Sequence, residues 1–141
     1  MALNLDRVGH VYPSYRYEVS REKIREYASA TGVTDPISTA VDGEVVAPPT
    51  FAACFTVTRA DAVFNDPELG AHCNLVHGSQ DYTFHRPVRV GDVLRCTPAV
   101  VGITPRGRME LLTLEIDCAD AATGEPVVTS RSVIIYFSQG R

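Results

Sequence analysis

The sequence lacks several features that would assign it to a broad functional class at once. Its 141 residues contain no apolar run of 18 or more, so no transmembrane helix is predicted. Residues 1–7 have neither the basic patch nor the apolar core of a signal peptide. A net charge of −4 and the absence of a long basic stretch argue against a general nucleic-acid binder. Together these absences predict a cytoplasmic protein with no membrane and no nucleic-acid partner.

Metal-binding cysteine pairs are also missing. Cys54, Cys73, Cys96 and Cys118 form no C-x-x-C pair, and their spacing is too wide for a small zinc module. They are therefore predicted to be buried or partly buried thiols, and neither a metal nor a cofactor is predicted. The length fits one domain, which we predict to span residues 1–141.

The first half of the chain predicts one strand, one amphipathic helix and one apolar helix. Residues 15–19 alternate as a strand does, and Ser20 is a typical N-cap for a helix over 21–31 that ends at Gly32. Turn residues fill most of 33–47. Residues 50–64 then form the most apolar helix candidate, and a helix of that composition is predicted to be buried.

The second half of the chain predicts an antiparallel sheet. Four long segments rich in β-branched and aromatic residues follow one another with short turns between them: 75–84, 93–103, 109–119 and 127–137. An α+β architecture follows, in which the sheet wraps around the apolar helix at about 50–64. That helix is apolar on more than one side, so we expect a second subunit to supply further cover.

Three segments resemble the MaoC-like hot-dog dehydratases. They are 17–27, 46–51 (VAPPTF) and 77–92 (HGSQDYTFHRPVRVGD), and the resemblance extends over nearly the whole chain. The sequence is similar to the FAS1-type dehydratase N-terminal domain and most similar to HadA-type subunits of (3R)-hydroxyacyl-ACP dehydratase. The resemblance implies a hot-dog fold, an acyl-ACP or acyl-CoA thioester as ligand, and a HadB-like catalytic hot-dog subunit as partner.

The catalytic pair of the family is missing from this sequence. Active members carry a pattern close to Gly-Asp-x-Asn-Pro-[Leu/Ile/Val]-His, in which the Asp and the His act on the C2–C3 bond of the substrate. Here residues 31–38 read TGVTDPIS, so Val33 replaces the Asp and Ser38 replaces the His. A register based on Asp35 would need a histidine at Ala40. Valine has no titratable group and serine alone is too weak a base, so no catalytic residue is predicted.

The predicted start of the apolar helix is a candidate for substrate binding. Pro49, Thr50 and Phe51 lie there, where free backbone N–H groups could hold a thioester carbonyl. Simple capping of the helix by Thr50 is the alternative, and the sequence leaves both open.

Further candidates are Cys54, His77 and Arg86, each with a structural alternative. Cys54 would line an acyl tunnel or pack in the core. His77 would contact substrate or serve as a hydrogen-bonded strand residue, and the structural role is favoured even more strongly for His85. Arg86, together with Arg89, would bind the phosphates of a pantetheine carrier or lie on the surface.

Three functions are compatible with these residues. The first is a non-catalytic, channel-forming subunit of a (3R)-hydroxyacyl-ACP or -CoA dehydratase, with Asp and His supplied by the partner. The second is a homodimeric acyl-thioester-binding module without catalysis. The third, a hot-dog thioesterase, is disfavoured because residues 47–55 contain no carboxylate.

Overall fold

The first α-helix lies where the sequence predicts it. A computed structural model describes residues 2–138. A 3₁₀ helix at Leu5–Arg7 precedes strand β1 at Tyr15–Glu18 and helix α1 at Arg21–Thr31. The Ser20 side chain accepts a hydrogen bond from the Lys23 amide at 3.1 Å. Gly32 ends the helix with a φ of 74°, a left-handed conformation that glycine adopts without strain. The predicted strand, helix and both helix ends are confirmed.

Four long strands follow and form one antiparallel sheet with β1. They are β2 (Leu75–Phe84), β3 (Val93–Arg106), β4 (Met109–Asp120) and β5 (Pro126–Phe137), in the spatial order β1-β3-β4-β5-β2. Alternate side chains point into the core, as the period of two requires. On β4 the buried set is Leu112, Leu114, Ile116 and Cys118.

The apolar segment that this sheet covers is not the single helix that the sequence predicts over 50–64. It consists of 3₁₀ helices at Pro49–Cys54 and Val57–Arg59 and a short α-helix at Asp61–Phe64. The predicted burial nevertheless holds, because Phe51, Phe55 and Val63 are fully buried.

The interruption of this segment occurs at Thr56. Its backbone has φ −113° and ψ −99°, outside the helical region, and its hydroxyl donates to the Ala52 carbonyl at 2.8 Å. The hydroxyl of Thr58 donates likewise to the Ala53 carbonyl at 2.7 Å. Three β-branched residues in a row, two of them with side chains that compete for backbone carbonyls, explain why a continuous helix does not form.

Among the contacts that hold the N-terminal segment to the core is a carboxylate shared by two of its side chains, that of Asp66. Asp66 Oδ2 accepts hydrogen bonds from the Tyr12 hydroxyl at 2.7 Å and from Nη2 of Arg7 at 2.7 Å. The Asp66 side chain is only 7% exposed, whereas Glu68, which also pairs with Arg7, is 71% exposed. Asp66 therefore ties residues 2–14 to the end of the apolar segment.

Strand β2 has one paired side and one open side. It pairs with β5, and within residues 2–138 no strand pairs with its other edge. Its register shifts between His77 and Ser79, which places Gly78 at a bulge. A Cβ atom on Gly78 would lie 2.8 Å from Cδ1 of Ile135 and 3.1 Å from the Val133 carbonyl oxygen. Glycine is needed here for close approach between strands.

Substituting Gly78→Ala is expected to destabilise the fold by about 1–2 kcal/mol, because the added methyl group overpacks the β2–β5 contact. Gly102→Ala is the matched control, since a Cβ there would meet Thr113 at an ordinary 3.6 Å. The free energy of unfolding, measured by urea denaturation, checks the difference. Equal effects of the two substitutions would contradict the assigned close contact.

Candidate functional site

A cavity of about 640 Å³ lies between the loop after α1, the segment before the 3₁₀ helices and the end of β2. Its walls come from residues within 33–38, 46–49 and 84–88, and most of them are apolar. This volume is within the usual range for small-molecule sites, about 300–1,000 Å³. The cavity is suited to an apolar ligand or to the apolar part of a larger one.

Val33 and Ser38, which the motif resemblance aligns with the family's catalytic Asp and His, both lie on the wall of this cavity. Val33 is half-buried, and Ser38 is 5% exposed. The Ser38 hydroxyl donates a hydrogen bond to the Val46 carbonyl at 2.6 Å. It therefore links helix α2 (Pro36–Thr39) to Val46, which lies on the segment that precedes the 3₁₀ helices. Both side chains therefore form part of the cavity wall.

Asp35 is the carboxylate of this wall, and it has a structural role. It is the N-cap of α2, and Oδ1 accepts a hydrogen bond from the Ile37 amide at 3.0 Å. Pro36 follows at the first helical position, where its fixed φ is favourable. Asp35 and Pro36 therefore start helix α2.

Substituting Ser38→Ala is expected to destabilise the fold by about 1–3 kcal/mol, since it leaves the part-buried Val46 carbonyl without its donor. Thr39→Val is the control on the same helix, because the Thr39 hydroxyl bonds the Asp35 carbonyl at an exposed position. That control is expected to change stability by less than about 0.5 kcal/mol. Thermal and urea unfolding of both variants check the difference, and an equal loss in the two would count against the assigned role of Ser38.

The predicted helix-start residues are separated by the structure. Pro49 lines the cavity, but Phe51 is fully buried, with its ring centroid 5.6 Å from that of Tyr27. Thr50 does not cap a helix: its hydroxyl oxygen accepts a hydrogen bond from the Tyr27 hydroxyl at 2.6 Å, and Pro48 occupies the N-cap.

One backbone donor at this start, the Phe51 amide, is already engaged within the protein. The Phe51 amide already donates to the Pro48 carbonyl at 2.9 Å, and the 3₁₀ helix is six residues long. Cys54 lies on the same segment, packs half-buried against the core and lies outside the cavity wall; burial raises the pKa of its thiol. Neither Phe51 nor Cys54 lies on the wall of the cavity that Pro49 lines.

The remaining candidates are engaged with other protein groups. His77 lies exposed on β2, with Nε2 2.9 Å from the Ser79 carbonyl, and is not part of the cavity wall. Arg86 does line the cavity, but its guanidinium forms a bidentate pair with Asp92, at 2.9 and 3.2 Å. Arg89 pairs with Glu44. The two arginines are therefore occupied by carboxylates and are poorly placed to bind phosphate.

His85 also lies on the wall of this cavity, although the sequence favours a structural role for it. It follows β2 directly and lines the wall beside Arg86. The available sequence signal was its position at the end of a strand, before an Arg-Pro turn, where side chains often face a cavity.

Curated relatives match nearly the whole chain. The chain is 36% identical to a UPF0336 protein of Saccharopolyspora erythraea over 96% of its length and 92% of that protein. A UPF0336 protein of Streptomyces coelicolor is 38% identical, with 96% and 95% covered.

Solved structures give the same architecture. A chain of the HadBC (3R-hydroxyacyl-ACP dehydratase) complex of Mycobacterium tuberculosis superposes with a TM-score of 0.79 at 23% identity, covering 92% of this chain and 97% of that one. A MaoC-like dehydratase gives 0.83 at 27% identity, covering 94% and 42%. A chain of the ChsH1–ChsH2 complex of M. tuberculosis gives 0.67 at 15%, covering 93% and 86%.

The fold is therefore the predicted hot-dog fold, shared with MaoC-like dehydratases. The family model for the FAS1-like, dehydratase domain region matches residues 6–130, and the chain belongs to that family. In the part of the chain that the structure describes, no helix is long and apolar enough to cross a membrane.

Proposed function

We propose that this chain is a non-catalytic, channel-forming subunit of a cytoplasmic (3R)-hydroxyacyl-thioester dehydratase, of the HadA type. A partner hot-dog subunit supplies the catalytic Asp and His. The observation that supports the proposal is that Val33 and Ser38, which replace the catalytic Asp and His in the motif resemblance, both lie on the wall of one cavity.

The chemistry of dehydration supports this assignment. A base must remove a proton from C2 of the substrate while an acid protonates the departing C3 hydroxyl, which leaves as water. Val33 can do neither, and the Ser38 hydroxyl is committed as a donor to the Val46 carbonyl. What this wall offers instead is apolar surface for an acyl chain that reaches over from the partner's site.

The open edge of β2 supports a hot-dog partner. Strand β2 has ten residues along this edge, and Asp81 is the only Asp, Glu, Lys or Arg among those ten. Natural sheets rarely leave so long and so weakly charged an edge unpaired. Two of the structures with this fold, HadBC and ChsH1–ChsH2, are complexes by their own descriptions. The ligand is an acyl-ACP or acyl-CoA thioester in this proposal.

A homodimeric acyl-thioester-binding module is the second candidate. The same apolar cavity would hold an acyl chain without any chemistry, and the same β2 edge would accept a second copy. The thioesterase alternative has less support, because the Asp35 carboxylate on the cavity wall is used to cap α2.

Co-expression with a hot-dog subunit that carries an intact Gly-Asp-x-Asn-Pro-x-His pattern tests the proposal. Hydration of a crotonyl thioester, followed by its ultraviolet absorbance, is expected for the complex and not for this chain alone. Full activity of this chain without a partner would overturn the proposal. Tight acyl-CoA binding by a homodimer that neither recruits the partner nor supports hydration would favour the second candidate, and thiol release would revive the thioesterase.

A further inference from the structure

His85 lies between two concave surfaces of the molecule. It lines the 640 Å³ cavity and also a smaller one of about 360 Å³, which includes Asp117 and Thr129 on the outer face of the sheet. Its backbone amide donates to the Val127 carbonyl at 2.8 Å, which fixes the chain at the point where β2 ends. The imidazole is exposed and within reach of a ligand.

A chain of hydrogen bonds determines which ring nitrogen of His85 carries the proton. The Thr129 hydroxyl donates to Oδ1 of Asp117 at 2.9 Å, and Nε2 of His85 lies 3.3 Å from the same hydroxyl oxygen. An ionised carboxylate can only accept, and a hydroxyl has a single proton to give. The Thr129 oxygen can therefore only accept from His85, so Nε2 carries the hydrogen.

This tautomer leaves Nδ1 with a lone pair. In neutral imidazole one nitrogen donates and the other accepts, so Nδ1 is an acceptor when Nε2 donates. Among residues 2–138 no hydrogen bond reaches Nδ1. The other polar side chains of the cavity wall already bond protein groups: Ser38 bonds the Val46 carbonyl, Asp35 bonds the Ile37 amide through Oδ1, and Arg86 bonds Asp92.

We propose that His85 is the polar anchor of the cavity, and that its Nδ1 accepts a hydrogen bond from an uncharged N–H or O–H group of the ligand. The apolar wall takes the hydrocarbon part of the same ligand. The proposal rests on the proposed function for the identity of that ligand, an acyl thioester. Two groups of such a molecule carry the required donor: a hydroxyl on the acyl chain and the amides of a pantetheine arm.

Binding of three matched probes to the full chain tests this proposal. The probes are S-ethyl octanethioate, which has no donor, S-ethyl 3-hydroxyoctanethioate, which has the chain hydroxyl, and octanoyl-pantetheine, which has the arm. His85→Phe is expected to weaken at least one donor-bearing probe by about three- to tenfold, the value of one hydrogen bond, and to change the S-ethyl octanethioate affinity by less than about twofold. Which probe responds identifies the group that His85 binds.

Two further variants separate anchoring from a merely structural role. His85→Gln retains a side-chain acceptor and is expected to recover part of the affinity that His85→Phe loses. Thr129→Val removes the group that orients the imidazole and is expected to weaken the same probe. Thr83→Val is its control, since Thr83 is the cross-strand neighbour of Thr129 and lies outside the hydrogen-bond chain.

Each outcome decides the proposal. If all three probes bind the wild-type chain and His85→Phe changes none of them, the anchor role is overturned while acyl binding stands. If His85→Phe weakens all three equally, the residue acts on the shape of the cavity and the proposal fails. If no probe binds the wild-type chain, the acyl-binding part of the proposed function fails and this proposal fails with it.

Discussion

Replacing Phe51 with alanine is expected to destabilise the protein by about 3–5 kcal/mol, a large part of the stability of a domain of this size. The side chain is fully buried, and its ring packs against those of Tyr27 and Phe55 at centroid distances of 5.6 and 6.1 Å. Removing it leaves a cavity between the broken apolar segment and α1. Urea denaturation followed by circular dichroism measures the loss.

Phe84→Ala is the matched substitution on the cavity wall. Phe84 is 39% exposed and lines the cavity, so its loss is expected to cost less than about 1 kcal/mol of stability while weakening acyl binding. Phe51→Leu, which restores most of the volume, is expected to recover much of the stability lost in Phe51→Ala. If Phe51→Ala kept the wild-type free energy of unfolding but no longer bound acyl thioesters, Phe51 would instead contact the substrate.

Replacing Asp66 with alanine is expected to destabilise the fold by about 3 kcal/mol at neutral pH. The substitution leaves the Tyr12 hydroxyl and the Arg7 guanidinium without the buried acceptor they share. Glu68→Ala is the control, because Glu68 also pairs with Arg7 but is largely exposed, and its loss is expected to cost less than about 1 kcal/mol. Similar losses for both variants would contradict the central role of Asp66.

The pH dependence of the Asp66 contribution has a definite sign. Although burial opposes its ionisation, hydrogen bonds from the Tyr12 hydroxyl, the Glu68 amide and Arg7 hold the pKa of Asp66 below its ordinary value. The stabilisation is therefore complete above the unfolded-state pKa of about 3.9 and is lost as the pH falls through the lower folded-state pKa. The stability difference between wild type and Asp66→Ala is expected to be constant from neutral pH to about 5 and to shrink below about 4.

The strands and helix α1 follow from local sequence signals. Alternation along 109–119 and the Ser20 and Gly32 caps of α1 depend on residues close together in the chain, and the structure agrees with them. The interruption at Thr56 was not predicted. Apolar composition indicates that a segment is buried, but it does not indicate whether the segment forms one continuous helix. Three consecutive β-branched residues were the available signal.

The site was predictable in part. Placing Val33 and Ser38 by motif alignment put both on what proves to be one cavity wall. The partners of Thr50 and His85 lie 23 and 44 residues away in the chain, and those contacts decide which side chains stay free for a ligand. Arg86 pairs with Asp92 only six residues on, but charge alone does not tell an internal ion pair from a phosphate site. A single sequence carries little information on such pairings.

The open edge of β2 also bears on how the protein must be produced. A ten-residue strand with one Asp as its only formal charge at neutral pH offers a template to any other unpaired strand, including that of another copy of the same chain. Under the proposed function, chains made in excess of the partner subunit would accumulate with this template exposed. Balanced synthesis of the two proposed subunits, and their assembly soon after translation, would then limit aggregation.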